Sequence, residues 1–164
     1  MDELESQIAK IQLGNFRSAG SFVYVFAEKA QGSDAELYIV AELPLPNAAA
    51  EEACEKICFS LTAALKRVYK KPLLPDSFEN GISQINEELG KLVSLGQTLW
   101  LDKLNCVIGV KKGETFTIAT CGKVASFLLR GGEFTDISCS AANQNHPLKT
   151  FENYASGKIR LGDL

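Results

Sequence analysis

The chain has 164 residues, of which 46% are hydrophobic, 23% charged and 9% aromatic. That length and apolar content suit one domain with a sizeable core and exclude a disordered or collagen-like chain. The formal charge of −3 gives no reason to expect nucleic acid, and no apolar run reaches the roughly 18 residues of a membrane helix.

The charge is only mildly graded, from an acidic first 40 residues to a weakly basic last third. The start, MDELESQIAK, lacks a basic region followed by an apolar one, so no signal peptide is expected. Five cysteines stand at 54, 58, 106, 121 and 139 with no C-x-x-C pair. Their odd count and apolar surroundings point to buried thiols in a reducing cytoplasm. A zinc site on Cys54 and Cys58 would need two further ligands, and His146 is the sole histidine.

Residues 1–20 read as a helical or loop extension, with Leu4, Ile8 and Ile11 on one side. The Val- and aromatic-rich run 21–28 predicts a strand, QGSD at 31–34 a turn, and 35–42 a second strand of an antiparallel hairpin. Pro44 and Pro46 are expected to stop that strand. Asn47 then serves as N-cap for a helix from about 48 to 70, with Ala50, Cys54, Ile57, Leu61, Ala64, Leu65 and Val68 as its apolar face. Lys66, Arg67, Lys70 and Lys71 crowd its end, where cations complement the helix dipole. After Pro72 and Pro75, Asp76 or Ser77 caps a second helix over about 77–95. Its Phe78, Ile82, Ile85, Leu89 and Leu92 recur in a 4-3-4-3 pattern that predicts packing along the first helix.

Trp100 is expected to anchor the entry to a meander, with ligand stacking as the functional alternative. Four strands then follow over about 104–110, 115–121, 124–130 and 134–138, with glycine turns at 113 and 131–132. The expected order is ββααββββ, an α+β arrangement rather than a βαβ alternation. No G-x-S-x-G motif supports a serine hydrolase around His146, and no P-loop or dinucleotide fingerprint occurs.

From about Ser21 to Leu164 the sequence resembles the metal-dependent protein phosphatases, the PPM or type-2C serine/threonine phosphatases. The stretch that carries the likeness is NCVIGVKKGETFTIATCGKVASFLLRGGEFTDIS at 105–138, together with HPL…GKIRLGD near the C-terminal end. The resemblance implies a four-layer α-β-β-α sandwich of two antiparallel sheets flanked by helix pairs. It also implies that 21–164 is a phosphatase-like domain lacking the C-terminal part of the family domain, so that the family's S-D-G motif would lie beyond Leu164. An isolated chain of this kind would be marginal, dimeric or domain-swapped.

Active members of the family hold two Mn²⁺ or Mg²⁺ ions on several aspartates, which generate a hydroxide nucleophile. The family's V-A-D-G-M-G-G stands here as Val40-Ala41-Glu42-Leu43-Pro44-Leu45-Pro46, and its G-D-S-R-A as Gly122-Lys123-Val124-Ala125-Ser126. Glu42 falls at the aspartate of the first motif and Lys123 at that of the second. Arg17 lies near the family's R-x-x-N-E-D element, but Ala19-Gly20-Ser21 carries no acid. One carboxylate and one cation are a poor match to two divalent ions. The departures therefore imply a catalytically degenerate, regulatory or binding domain. Its expected features are no catalytic, cofactor or metal residues, a protein partner, and no nucleic acid or membrane. One alternative is an active phosphatase needing Mn or Mg, with Glu42, Asp34 or Asp163 as a displaced ligand set. The other is a structural part of a larger protein.

Overall fold

The computed structural model describes residues 20–44, 50–70, 77–138, 150–160 and 162–164. Two strands come first, β1 (Ser21–Lys29) and β2 (Ala35–Pro44), and pair antiparallel from Ser21↔Pro44 to Lys29↔Glu36. The strict alternation of β2 drives this arrangement. Ala35, Leu37, Ile39, Ala41 and Leu43 are buried on one face, while Val40 and Glu42 on the other are exposed. β2 runs past the expected 42 and ends at Pro44, opposite Ser21.

Two helices, α1 (Glu51–Tyr69) and α2 (Ser77–Ser94), cover the buried face. α1 is described from Glu51, preceded by Ala50 in helical φ/ψ, while the expected cap Asn47 lies outside the described residues. Glu51 and Glu52 in the first turn complement the dipole there, as Lys66 and Arg67 do in the last. Ile57, Leu61 and Leu65 are essentially inaccessible, a burial worth about 1.5–3 kcal/mol per side chain. Cys58, Thr62 and Tyr69 join them, which widens the stripe beyond the expected set. Gly81 of α2 lies against α1: a Cβ there would stand 3.4 Å from Leu65 Cδ1 and 3.7 Å from the Tyr69 ring.

The helix pair spans the sheet. α1 sits over β1, where the Tyr24 and Thr62 hydroxyls are 3.0 Å apart and Lys66 pairs with Glu28 at 2.5 Å. α2 reaches the far side, where Phe78 packs on Tyr154 with ring centroids 5.5 Å apart.

β3 (Asn105–Lys112) and β4 (Thr115–Cys121) continue the sheet as expected. The chain then departs from a simple four-strand meander. β5 (Phe127–Arg130) and β6 (Glu133–Asp136) leave to form a separate two-stranded sheet. Gly122 makes the exit, with φ +79°, a left-handed value that disfavours side chains. A further strand, β7 (Tyr154–Lys158), takes the vacant edge of β4, giving the order β1-β2-β3-β4-β7. The expected order ββααββββ holds from β1 to β6, and β7 follows it.

The result is an α+β fold of two antiparallel sheets and one helix pair. The second helix pair of a four-layer sandwich is not among the described residues. Leu129 and Leu164 exchange backbone hydrogen bonds of 2.6 and 3.0 Å, which lays the end of the chain along β5. Arg130 of β5 grips Asp163 with Nε at 2.9 Å and Nη2 at 2.6 Å, and also donates to the Lys158 carbonyl of β7 at 2.9 Å. The expected extension at 1–20 lies, apart from Gly20, outside the described residues, as do Asn47, Pro72, Pro75 and Asp76.

Candidate functional site

Antiparallel register places Glu42, near the end of β2, directly opposite Asn105, the first residue of β3. The Asn105 carboxamide donates from Nδ2 to Glu42 Oε2 at 3.3 Å. Its Oδ1 accepts the backbone N–H of Lys123 at 2.7 Å. Asn105 therefore bridges Glu42 and Lys123, the two positions that the resemblance singled out. Glu42 lies on the sheet face turned away from the helices, and Lys123 follows Gly122 where the chain leaves β4.

Gly122 makes the bridge sterically feasible. A Cβ there would stand 2.3 Å from the Leu104 carbonyl oxygen and 2.4 Å from Asn105 Oδ1. Sequence reasoning did not single out Asn105. Its sole signal was its position near the start of the strand expected over about 104–110; the pairing of that strand with β2 came only with the structure.

The other acids do not converge there. Asp34 sits in the β1–β2 turn, about eight strand residues or ~26 Å from Glu42 along β2. It lines an open cleft there with Lys29, Gly32, Ser33 and Lys112. Asp163 is held by Arg130 and accepts the Arg160 backbone N–H at 2.7 Å. The guanidinium first of all, and the Arg160 N–H with it, lower its carboxyl pKa to about 2.

Among the described residues, no group of three or more His, Cys, Asp or Glu side chains could hold a metal ion. At Glu42 one carboxylate meets a carboxamide and a peptide N–H. That donor set does not fit a two-ion centre, which needs several anionic oxygens to offset four positive charges. Arg17 and His146 lie outside the described residues.

The remaining candidates resolve as follows. Trp100 is 2% exposed, part of the core, and accepts at its carbonyl from the Lys103 and Leu104 amides at 3.1 and 3.0 Å. It anchors the entry to β3, and the burial corrects the stacking alternative, because its ring faces no solvent. Its indole N–H has no hydrogen-bond partner among the described residues.

Cys54, Cys58, Cys106 and Cys121 are buried free thiols, and Cys139 lies outside the described residues. Burial pushes the Cys58 thiol up to about 12 and Cys106 well above its ordinary value. Lys66 pairs with Glu28, and Arg67 with Glu88 at 3.2 Å. Lys71 lies outside the described residues. No described helix is long and apolar enough to cross a membrane.

No protein-family model matches the chain, and no curated protein does either. Solved structures do. The RsbU and RsbW domains of a Mycobacterium tuberculosis protein match with a TM-score of 0.61 at 11% identity, over 91% of this chain and 38% of that one. The S. agalactiae serine/threonine phosphatase matches at 0.55 and 17% identity, over 92% of this chain and 72% of that one. PppA, a key regulatory component of T6SS in Pseudomonas aeruginosa, matches at 0.53 and 16%, over 88% and 73%. The chain thus spans about two-fifths of the first of these structures. At such identities the likeness shows the fold, which is that of the PPM-type serine/threonine phosphatases.

Proposed function

We propose that this chain is a catalytically degenerate PPM-type phosphatase-like domain that works as a binding or regulatory module for a protein partner in phosphorylation signalling, in the cytoplasm and without a bound cofactor. The observation that carries the reading is the Glu42–Asn105–Lys123 bridge. It sits at the two motif positions where the family places aspartates, and it supplies one carboxylate, a neutral amide and the backbone N–H of a lysine. Hard divalent ions bind there only if several oxygens of negative charge converge.

One solved structure of this fold carries the regulatory sense in its description, as a key regulatory component of T6SS. Fold alone does not transfer activity, so the site decides.

The test is calorimetric titration with Mn²⁺ together with a phosphatase assay on a phosphoserine peptide. The expected outcome is no saturable two-ion binding and no metal-dependent turnover. Two tightly bound ions accompanied by Mn-dependent phosphate release would overturn the proposal and favour the displaced-ligand enzyme.

A further inference from the structure

β1 is a nine-residue edge strand whose inner side is paired with β2 along its whole length. Among the described residues, nothing pairs with its outer side. Such a row of unpaired N–H and C=O groups templates pairing, and monomeric proteins blunt it with proline, a bulge or a mid-strand charge. β1 has no proline, its register with β2 runs without a bulge, and its charges are confined to Glu28 and Lys29 at one end.

The side chains along this edge are apolar on both faces. Phe22, Tyr24 and Phe26 lean on the core beneath the helices, while Val23 and Val25 occupy the opposite face, half-buried. Next to the edge, α1 exposes Phe59 by 53%, with its ring edge-on to Tyr24 at 6.0 Å. An exposed helix aromatic beside an unpaired apolar strand makes one continuous surface.

We propose that β1 pairs antiparallel with β1 of a second copy of this chain, about a two-fold axis through Val25. The strand is self-complementary in that register. Val25 meets Val25 of the second copy, Tyr24 meets Phe26, and Val23 meets Ala27. At the ends, Phe22 meets Glu28 and Ser21 meets Lys29, so no like charges face each other. Aromatic residues meet aromatic residues on the helix side and aliphatic residues meet on the other, the pairings that stabilise antiparallel ladders. The axis stands perpendicular to the sheet, so both helix pairs lie on one face and each Phe59 approaches the seam. An isologous contact of this kind closes at two copies.

Sedimentation equilibrium of the full chain, from about 1 to 500 μM, measures the assembly. The expected result is a reversible shift from 17.8 kDa to twice that mass. Val25→Lys sets two ammonium groups face to face on the axis and is expected to weaken the dimer about 100-fold. Phe59→Ser, at an exposed helix position outside the buried core, is expected to weaken it about tenfold. Phe134→Ser, on exposed β6, should leave it unchanged.

If Val25→Lys fails to melt cooperatively, Phe59→Ser decides alone. A monomer throughout the range overturns the proposal. So do an assembly larger than two copies, a dimer indifferent to Phe59→Ser, or a dimer broken by Phe134→Ser.

Discussion

Asn86 of α2 and the backbone of Phe151 exchange two hydrogen bonds. Asn86 Nδ2 donates to the Phe151 carbonyl at 3.0 Å, and the Phe151 amide donates to Asn86 Oδ1 at 3.1 Å. Both residues are buried, and Phe151 is 2% exposed. A polar side chain on the inner face of an otherwise apolar helix thus satisfies the main chain just ahead of β7. Phe78 and Glu79 of the same helix complete the attachment, through the Phe78–Tyr154 ring contact and the hydrogen bond from the Tyr154 hydroxyl to Glu79.

Removing that amide should be costly. Asn86→Ala leaves one buried N–H and one buried C=O without partners, so a loss of about 2–4 kcal/mol is expected in urea unfolding. Asn86→Asp should be comparably damaging at neutral pH, because a carboxylate then faces the Phe151 carbonyl. It should recover part of the loss in acid, where the protonated carboxyl donates again.

Gly122 is the second critical position. Gly122→Ala combines a positive φ with a Cβ 2.3 Å from a carbonyl oxygen. The expected destabilisation is about 2–4 kcal/mol, with loss of the hydrogen bond from the Lys123 N–H to Asn105. The Lys123 amide shift in an ¹⁵N-correlated NMR spectrum reports that bond separately from global stability.

The Arg130–Asp163 clamp predicts an acid-sensitive chain end. The folded Asp163 carboxyl titrates at about 2, below its ordinary 3.8. Its folded value is depressed, so its contribution is fully present above the ordinary value and is lost as pH falls through about 2. An NMR titration of the Asp163 carboxyl should show the low midpoint. Arg130→Met should return it toward 3.8 and loosen the Leu129–Leu164 pairing.

The buried thiols predict slow chemistry. With Cys58 pushed up to about 12 and Cys106 raised by burial, neither is a thiolate at pH 8. All four described cysteines are buried, so they should react slowly with a thiol reagent in the native protein and fast in denaturant. Because the folded values of Cys58 and Cys106 lie above 9.0, the unfolded chain ionises first there, so these two thiols lower stability as pH rises from about 9 towards 12. Alkaline denaturation midpoints check the sign, and Cys58→Ala should reduce the slope.

Much of the fold is legible in residue pattern. The alternation of Leu37, Ile39 and Ala41 fixes which face of β2 is buried, and the 4-3-4-3 spacing from Phe78 to Leu92 fixes the packing side of α2. Sequence analysis did not foresee β7, because YASGK buries no residue and carries no apolar alternation. Its strand form depends on the open edge of β4 and on the Asn86 anchor, and neither is local. The exit of β5 and β6 from the main sheet was hidden for a similar reason. A glycine in a strand-like run does not say whether the chain turns back or leaves.

The candidate site divides in the same way. The motif comparison picked out Glu42 and Lys123 from residue type and order. It said nothing of Asn105, because a lone asparagine has no chemical signature until register brings it opposite a carboxylate.

Sequence by itself determined the types of α1, α2 and the strands other than β7, the buried faces, the thiol burial and the two motif positions that depart from aspartate. All of these follow from side-chain chemistry at fixed spacing along one chain. The tertiary structure decided the strand order, the β7 edge, the Asn105 bridge and the edge place of β1 among the described strands. Each of those depends on which distant segments hydrogen-bond across a sheet, and register between strands is set by global packing rather than by any one segment.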